Sequence, residues 1–377
     1  MQYNDYKWIW QYPNWTEFLW NQSQLEPQLR RCWLLLGKLI GYSAQIKHQD
    51  SQLALDTLLN NILSSSQIEG DSLNAYSVRS SLAKKLNISV DIPYPVSDRS
   101  EGVSNIMLDA LDNWQEALSK ERLAQWHRWL FPYYTPHIKA GELRGEEPMQ
   151  VVSGRLDRPK VHFEAPHRHI LEGELNRFID WFNQSREDNT LDPLLRAGIA
   201  HLWFLTLHPF DDGNGRLART LTDLALTQAD QQSIRLYAIS TTILQKRAEY
   251  YRLLEQTQKG DREITSWLNW FLNILTESIE QSLVQIERTL FKSHFWLKYR
   301  ELQLSPEQKK VLNRLLDGGE NGFELGISAS QYQKVAKVSK ATATRHLTDL
   351  LEKGLIKKTN QGGRSTRYLI AEIHKDN

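Results

Sequence analysis

Apolar residues recur three and four positions apart over much of the chain, and this spacing predicts helices. The pattern is clearest in "LLLGKLIGYSAQ" (34–45), "LDTLLNNILSSSQIE" (55–69), "LEGELNRFIDWFN" (171–183), "LLRAGIAHLWFLTL" (194–207) and "ITSWLNWFLNILTESIEQSLVQIERTL" (264–290). Strand signals are few. One is "MQVVSGRLDRPKVHFEAP" (149–166), where two β-branched stretches flank a glycine-containing turn, and another lies near the C-terminus. The pattern therefore predicts a mainly α protein with a small β-hairpin.

Breaks in the helical pattern predict four regions. A helical N-terminal region over residues 1–110 ends in a Pro- and Ser-rich connector, "NISVDIPYPVSDRSEG" (87–102). A helical middle region covers residues 115–270, and a linker helix follows over 271–302. Residues 303–371 are predicted to form a small separate domain.

Composition limits the class of protein. The chain has 377 residues, of which 40% are hydrophobic and 24% charged, so it can bury a core. The single cysteine, Cys32, excludes an intrachain disulfide framework. The N-terminal stretch does not resemble a signal peptide, and no apolar run approaches the ~18–20 residues of a membrane span. These features predict a soluble cytoplasmic protein without membrane contact. Early tryptophans, among them Trp8, Trp10, Trp15 and Trp20, are expected to anchor the N-terminal part by burial.

Charge is unevenly distributed along the chain. The formal net charge is only +1, which argues against a polyanion-binding surface over the whole molecule. Residues 331–377, however, carry a net charge of +6, and the rest of the chain is mildly acidic. This asymmetry predicts a basic C-terminal module.

One short run, "LTLHPFDDGNGRLART" (205–220), combines groups that packing alone does not require. Helical patterns flank it, while Pro209 with Gly213 and Gly215 forces a loop between them. The second helix would therefore begin at the loop and direct free backbone N–H groups and a positive dipole end into it. Such a loop is suited to binding an anion.

The side chains of the same run extend this prediction. Arg216 and Arg219 are three residues apart, on one face of the first helical turn, and two guanidinium groups suit a polyphosphate. Asp212 is a candidate ligand for Mg²⁺ beside phosphates. His208, with an ordinary pKa of ~6.5, is a candidate general base.

The segment "HPFDDGNGRLAR" resembles the signature of Fic-domain proteins at every specified position. The resemblance implies a Fic helical core and transfer of AMP from ATP, with Mg²⁺, to a hydroxyl of a target protein. It implies that His208 is the base, that Asp212 holds the metal and that Gly213, Asn214 and Gly215 cradle the phosphates. Arg216 and Arg219 would hold the β- and γ-phosphates. The family often dimerises, so a homodimer is expected.

Two further segments resemble parts of the same family. The predicted hairpin resembles the family's flap, in which Val151, Val152, Ser153 and Gly154 would pin a target strand and border the nucleotide. The segment from 245 resembles the helices that follow the core. It makes Tyr250 and Tyr251 candidates for adenine contacts, although both could equally belong to the core.

The segment "SSSQIEGDS" (64–72) resembles the inhibitory motif of Fic proteins. Ser65 and Glu69 are four residues apart and share a helix face, and Gly70 is a plausible helix cap. In the family this glutamate pairs with the second motif arginine, here Arg219, and displaces the γ-phosphate. Glu69 would then border the nucleotide and also inhibit transfer. The tryptophan-rich start resembles the N-terminal domain of the class whose inhibitory helix precedes the core.

The C-terminal region reads as three helices and two strands, an order that resembles a winged helix-turn-helix. Ser305 and Ser339 are predicted caps, and a Gly-Gly turn would join the strands. Basic residues fall where DNA would lie: Lys337, Lys340, Arg345, Lys357, Lys358, Arg364 and Arg367. A protein-interaction or dimerisation module is the alternative, since a fold does not determine function.

Three functions remain open at this point. The first is an autoinhibited protein adenylyltransferase, a nucleotidyltransferase that also modifies itself. The second is a DNA-binding regulator whose Fic core senses nucleotide. The third is a Fic enzyme that uses another nucleotide donor or removes AMP. Intact His208 and Asp212 favour the first.

Overall fold

The computed structural model describes residues 6–43, 50–89, 93–155, 158–231, 236–318, 323, 325–359 and 366–371. The chain separates into two compact units, residues 1–282 and 283–377. The finer division into four regions stays a prediction.

Helices dominate the described residues, as the spacing of apolar positions predicts. After a 3-10 helix (Ile9–Gln11), the helices up to residue 298 are α1 (Gln22–Ser43), α2 (Asp50–Ile68), α3 (Ala75–Lys85), α4 (Asp98–Asp112), α5 (Lys120–Leu130), α6 (Arg168–Gln184), α7 (Pro193–Leu207), α8 (Asn214–Asp230), α9 (Ile239–Gln245), α10 (Arg247–Gln258) and α11 (Thr265–Lys298). In the described part of the chain, none of these is both long and apolar enough to cross a membrane.

Helix α4 begins inside the segment that the sequence predicts as a connector, residues 87–102. The side chain of Ser97 accepts a hydrogen bond from the backbone N–H of Ser100, which makes Ser97 the N-cap of α4. An N-cap serine satisfies one of the free N–H groups of the first turn, so a helix can start soon after a proline-rich stretch. The Pro/Ser pattern therefore predicted the break correctly but placed its end too late.

The core of the first unit is built on α7. Every residue of α7 from Leu194 to Leu207 is buried. In its middle, His201 Nδ1 lies 2.8 Å from Thr222 Oγ1 and His201 Nε2 lies 2.9 Å from the Tyr250 hydroxyl. These bonds tie α7 to α8 and α10. Because α7 is enclosed on all sides, the loop that follows it starts from a rigid position.

The N-terminal tryptophans bury large rings against this core. Trp8 is 2% exposed and packs edge-on against Phe163, with ring centroids 5.4 Å apart. Trp15 packs edge-on against Trp203 of α7 at 5.7 Å, and its indole N–H donates to Glu174 at 3.0 Å. The anchoring that the sequence predicts is therefore present at both of these rings.

The predicted hairpin consists of strands β1 (Gln150–Arg155) and β2 (Arg158–Glu164), paired antiparallel. Its register shifts between Val151, which pairs with Phe163, and Val152, which pairs with Val161. His162 is therefore an extra residue on β2, a β-bulge. The centre of the connecting turn, residues 156–157, lies outside the described residues.

The second unit contains α12 (Pro306–Asp317), α13 (Ala329–Ala336), α14 (Lys340–Glu352), β3 (Ile356–Lys358) and β4 (Tyr368–Ile370). Ser305 caps α12 in a reciprocal capping box with Gln308, and Ser339 caps α14. Strands β3 and β4 pair antiparallel. The elements have the predicted order, while the winged-helix assignment itself stays a prediction. The expected Gly-Gly turn and Arg364 lie outside the described residues.

Candidate active site

The run 205–220 folds as a helix, a tight loop and a second helix. Helix α7 ends where His208 adopts a left-handed backbone conformation, with φ of 47°. Gly213, with φ of 80°, is the N-cap of α8. No capping side chain bonds to the first N–H groups of α8, so they remain available at the loop. The predicted helix N-terminus is therefore present at the loop, while its binding of an anion stays a prediction.

Asn214 closes the loop with its side chain. Its Oδ1 accepts the backbone N–H of Phe210 at 3.0 Å, and its Nδ2 donates to the Phe210 carbonyl at 2.7 Å. The Asn214 side chain is 1% exposed, so both bonds are shielded from water. The sequence analysis expected Asn214 to contribute to a phosphate cradle. Its carboxamide is instead occupied in holding the loop, so a contribution to the cradle is left to its backbone.

Two residues that the sequence analysis missed support the loop from outside. Arg144 is 2% exposed; its Nε donates to the His208 carbonyl at 2.9 Å, and its backbone N–H donates to the Pro209 carbonyl at 3.0 Å. Burial lowers the pKa of Arg144 to about 10, so it stays charged at neutral pH. The second residue, His127, lies beneath Asp212. Neither stands in a sequence pattern that would have indicated this role.

His127 is held in one neutral form. Its Nδ1 accepts the backbone N–H of Gly141 at 2.8 Å, so Nε2 carries the proton and donates to the Asp212 carbonyl at 3.2 Å. Burial lowers the pKa of His127 to about 4. The ring also stacks on Phe210, with centroids 4.2 Å apart. His127 is therefore a structural group under the loop.

His208 has the protonation state that a general base needs. The Leu205 carbonyl lies 3.3 Å from His208 Nδ1, and since a carbonyl can only accept, the proton sits on Nδ1. Burial lowers the pKa of His208 below its ordinary value, an effect that outweighs this hydrogen bond. The imidazole is thus neutral at pH 7, with the lone pair of Nε2 free to take a proton.

The two motif arginines are each engaged by an acidic side chain near the end of α2. Arg219 is 1% exposed. It donates through Nε to Ser65 Oγ at 2.8 Å and through Nη2 to Glu69 Oε1 at 2.7 Å. Arg216 Nη1 donates to Asp71 Oδ2 at 2.9 Å, and the same carboxylate oxygen also accepts from Arg99. The sequence analysis anticipated Glu69 but missed Asp71, two residues further along.

Both carboxylates are positioned by the way α2 ends. The backbone N–H of Gly70 donates to the Gln67 carbonyl at 3.0 Å, and that of Asp71 donates to the Ser66 carbonyl at 3.0 Å. With Gly70 at φ of 79°, this is a Schellman motif, which requires a left-handed residue at that point. Glu69 is consequently the C-cap residue directly after α2, and Asp71 follows the reversal of the chain.

Glu69 approaches the loop as closely as the backbone allows. A Cβ on Gly215 would lie 2.0 Å from Glu69 Oε1, so only glycine at 215 leaves room for this carboxylate. Burial would raise the pKa of Glu69, but the charge of Arg219 and its hydrogen bond hold this pKa below its ordinary value. Glu69 is therefore an anion at neutral pH, seated beside the first turn of α8.

A cavity of about 450 Å³ opens beside these groups. It is lined by Glu69, Gly70, Asp71, Arg99, Leu130, Phe131, Pro132, Tyr133, Thr135, Ile138, Asp212 and Arg216. This volume is within the range of ~300–1,000 Å³ that small-molecule sites occupy. Its wall combines apolar and aromatic groups with two arginines and three carboxylates, and Asp71 is bonded to both of these arginines. An anionic ligand would therefore compete with Asp71 for them.

The flap residues and the two tyrosines that the sequence analysis named are not among the residues that line this cavity. Val151, Val152, Ser153 and Gly154 are exposed on β1. Tyr250 is 1% exposed and bonded to His201, which favours the core alternative for that residue. Tyr251 is half-buried, and its hydroxyl lies 3.3 Å from Glu69 Oε2.

The donor set for a metal is small. Within the described residues, no group of three or more His, Cys, Asp or Glu side chains could enclose a metal ion. Asp212 contributes a lone carboxylate, 58% exposed, at the wall of the cavity. One carboxylate together with phosphate oxygens and water is a usual environment for Mg²⁺, so Asp212 fits such an ion only when a phosphate ligand is also bound.

Comparison with known proteins connects this site to a family. Residues 117–226 match the sequence model of the Fic/DOC family, and residues 8–88 match that of a domain of unknown function (DUF4172). The "Protein adenylyltransferase fic-1" of Caenorhabditis elegans is 28% identical over 201 residues, which are 53% of this chain and 35% of that protein. The "Protein adenylyltransferase Fic" of Nematostella vectensis is 35% identical over 91 residues, or 24% of this chain and 20% of that protein.

The fold has a solved counterpart over almost its whole length. A crystal structure of a Fic family protein from Desulfovibrio desulfuricans G20 covers 93% of this chain and 97% of that one, with a TM-score of 0.53 and 20% identity. At this identity the likeness shows the fold alone. Among the curated relatives described above, this chain spans about a third of the length or less.

We expect Asn214→Ala to destabilise the protein by about 2–4 kcal/mol, because it leaves the N–H and C=O of Phe210 buried without partners. Thermal unfolding followed by circular dichroism measures this effect. Asn176→Ala on α6 is the matched control. An unchanged melting temperature for Asn214→Ala would show that Asn214 does not hold the loop.

Proposed function

We propose that this chain, which contains a Fic domain at residues 117–226, is a protein adenylyltransferase that moves AMP from ATP to a Ser, Thr or Tyr hydroxyl of a protein. The names of its relatives support the activity. The observation that carries the proposal is the meeting of a neutral His208, the free N–H groups of α8 and two arginines at one loop. A cytoplasmic location and a homodimer stay predictions.

Each step of the proposed reaction is assigned to particular residues. The N-terminus of α8 with Gly213 and Gly215 binds the phosphates, and Arg216 and Arg219 neutralise the outer ones. His208 Nε2 takes the proton of the incoming hydroxyl. The hydroxyl oxygen then attacks the α-phosphorus in line with the departing pyrophosphate. Such catalysis consists mainly of positioning and charge stabilisation, which the rigid α7 and the clamped loop supply.

Mg²⁺, when bound, would neutralise part of the charge that builds up on the pyrophosphate. Asp212 is the residue that would hold it, because its carboxylate faces the cavity and is 58% exposed. Its backbone carbonyl is fixed by His127, which keeps this part of the loop in one conformation. The nucleotide base would lie against the aromatic wall of the cavity, which includes Phe131 and Tyr133.

We further propose that the end of α2 inhibits the reaction. Glu69 occupies Arg219, so an incoming γ-phosphate would compete with a carboxylate for the same guanidinium. Asp71 occupies Arg216 in the same way. A nucleotide that enters against both anions would bind with its outer phosphates displaced and its α-phosphorus out of line. Inhibition by Glu69 is thus supported by a second carboxylate that the inhibitory motif itself does not include.

The exposed flap is suited to presenting a target. Among the described residues, β1 pairs only with β2, so its other edge is free for an extended peptide. Val151 and Val152 are 37% and 50% exposed and would contact alternate side chains of that peptide. We therefore assign Val151 to Gly154 to target binding. Contacts of the same four residues with the nucleotide stay a prediction.

DNA binding by the second unit is a second candidate function. Lys340 and Arg345 lie exposed on α14, so their charged groups are accessible to phosphates. Lys357 is also exposed, on β3. Arg367 is partly used within the unit, since its Nη1 donates to the Gly326 carbonyl at 2.9 Å. The exposure of Lys340 and Arg345 is the observation that favours this function.

We expect His208→Ala to lower AMP transfer to added protein by about 10²–10⁴-fold, the usual contribution of a general base. The measurement is incorporation of labelled AMP from ATP, made in a Glu69→Gly background so that transfer is not inhibited. His294→Ala, at an exposed histidine, is the control. A folded His208→Ala protein with unchanged transfer would remove His208 from the mechanism.

We expect Glu69→Gly to raise transfer by at least about 10-fold, because Arg219 becomes free to align the γ-phosphate, and misalignment by ~1 Å can cost ~10²-fold. Glu69→Gln should give a smaller gain. Adding Arg219→Ala should cancel the gain of Glu69→Gly. Glu187→Gly, at a side chain 85% exposed, is the control. Equal incorporation by wild type and Glu69→Gly would mean that Glu69 does not inhibit.

We expect the full chain to bind duplex DNA with an affinity that falls steeply between about 50 and 200 mM salt. Fluorescence anisotropy measures this affinity. The double variant Lys340→Glu and Arg345→Glu should bind at least about 10-fold more weakly and with a smaller salt slope. The same charge change at Lys309 and Lys310 of α12 is the control. No binding at low salt would favour the protein-interaction alternative.

A further inference from the structure

Three side chains near the flap form a chain of hydrogen bonds that the reaction above does not use. Ser153 Oγ lies 2.6 Å from His162 Nε2, and His162 Nδ1 lies 2.7 Å from Glu255 Oε2 of α10. Burial would raise the pKa of Glu255, but hydrogen bonds from Lys259 and His162 hold it below its ordinary value. Glu255 is therefore an ionised acceptor that keeps the proton on Nδ1. The lone pair of Nε2 is then directed at the Ser153 hydroxyl.

The β-bulge explains how His162 reaches both partners. In the ladder Ser153 pairs with Lys160, and Val152 pairs with Val161, so His162 has no partner of its own on β1. An extra residue of this kind turns its side chain away from the regular alternation of the strand. Here the bulge brings the imidazole between an exposed serine of one strand and an acid of a helix.

The three side chains differ in exposure in the way that an activated serine requires. Ser153 is exposed and open to an incoming electrophile. The side chains of His162 and Glu255 are only 24% and 25% exposed, so base and acid are held by packing. Gly154 follows at φ of 95°, with no side chain beside the hydroxyl. A serine, a histidine and an acid in this order activate serine hydroxyls in many enzymes.

We propose that Ser153 is a nucleophilic hydroxyl that accepts an adenylyl group, which makes the flap a self-modification site. The proposal rests on the proposed function, which supplies ATP as donor. A bond forms between Ser153 Oγ and the α-phosphorus while the bond to the bridging β-phosphate oxygen breaks. Pyrophosphate leaves with that electron pair, the hydroxyl proton passes to His162 Nε2, and Glu255 stabilises the resulting imidazolium.

The experiment incubates full-length Glu69→Gly protein with ATP and Mg²⁺ and locates adenylyl groups by peptide mass spectrometry. We expect an adenylyl group on Ser153. His162→Gln and Glu255→Gln should each lower the ratio of adenylyl on Ser153 to adenylyl on all other residues by at least about 10-fold. His294→Gln and Glu187→Gln are the matched controls. A rate of Ser153 adenylylation per chain that does not depend on protein concentration would indicate that ATP is bound by the same copy of the chain that carries this Ser153.

An alkyl fluorophosphonate tests the nucleophile without any nucleotide. It should phosphonylate Ser153, and His162→Gln should abolish this labelling in protein whose melting temperature is unchanged. Absence of the phosphonate from Ser153 overturns the proposal and leaves the three residues as a latch between flap and α10. Absence of adenylyl from Ser153 also overturns it. If other residues then carry adenylyl, the proposed function stands, and if none does, that function fails as well.

Discussion

The site depends on a buried positive charge that must always have an anion beside it. Arg219 is 1% exposed, and a guanidinium removed from water is costly unless it is paired and hydrogen-bonded. In this structure Ser65 and Glu69 meet that requirement, although Arg219 Nη1 has no partner among the described residues. Removing one member of a buried pair costs about 3–5 kcal/mol unless another anion replaces it. Phosphate is such an anion, so Glu69 and a nucleotide exclude one another at Arg219.

Competition between Glu69 and a phosphate for Arg219 matters because hydrogen bonds hold the loop in one conformation. Asn214 binds both backbone groups of Phe210, Arg144 binds the His208 carbonyl, and His127 binds the Asp212 carbonyl. Each bond satisfies a backbone group that a tight turn would otherwise leave buried and unpaired. A rigid loop holds a phosphate in one place only. A carboxylate that shifted a phosphate by ~1 Å would therefore slow a reaction at this loop by about 10²-fold.

The sequence predicted the local elements around the loop because they depend on short-range spacing. The helix–loop–helix run, the glycine at the end of α2 and the caps Ser305 and Ser339 are all read from residues within one or two turns. Arg144 and His127 could not be found in this way, since each acts across a long separation in sequence and stands in no motif.

The role of Asp71 could not be predicted from the sequence, although this residue lies close to a recognised motif. It lies two residues after Glu69, and the motif glycine Gly70 predicts the end of α2, but the motif does not describe the bonds of Asp71 to Arg216 and Arg99. Tyr250 is a different case. An aromatic residue beside a motif can contact a ligand or belong to the core, and the burial of Tyr250 against α7 favours the core. Spacing along the chain carries information about faces of helices, whereas burial depends on the whole fold.

Helix α10 joins the inhibitory segment to the flap. Tyr251 donates to Glu69 at 3.3 Å, and Glu255, four residues later, accepts from His162 of β2 at 2.7 Å. Residues four apart share one face of a helix, so a single face of α10 contacts both the end of α2 and strand β2, which carries His162. The Tyr251 hydroxyl also lies 3.3 Å from the Ile68 carbonyl, so it contacts the end of α2 at two points. Glu69 and Ser153 are therefore linked through side chains that contact one helix, although 84 residues separate them in sequence.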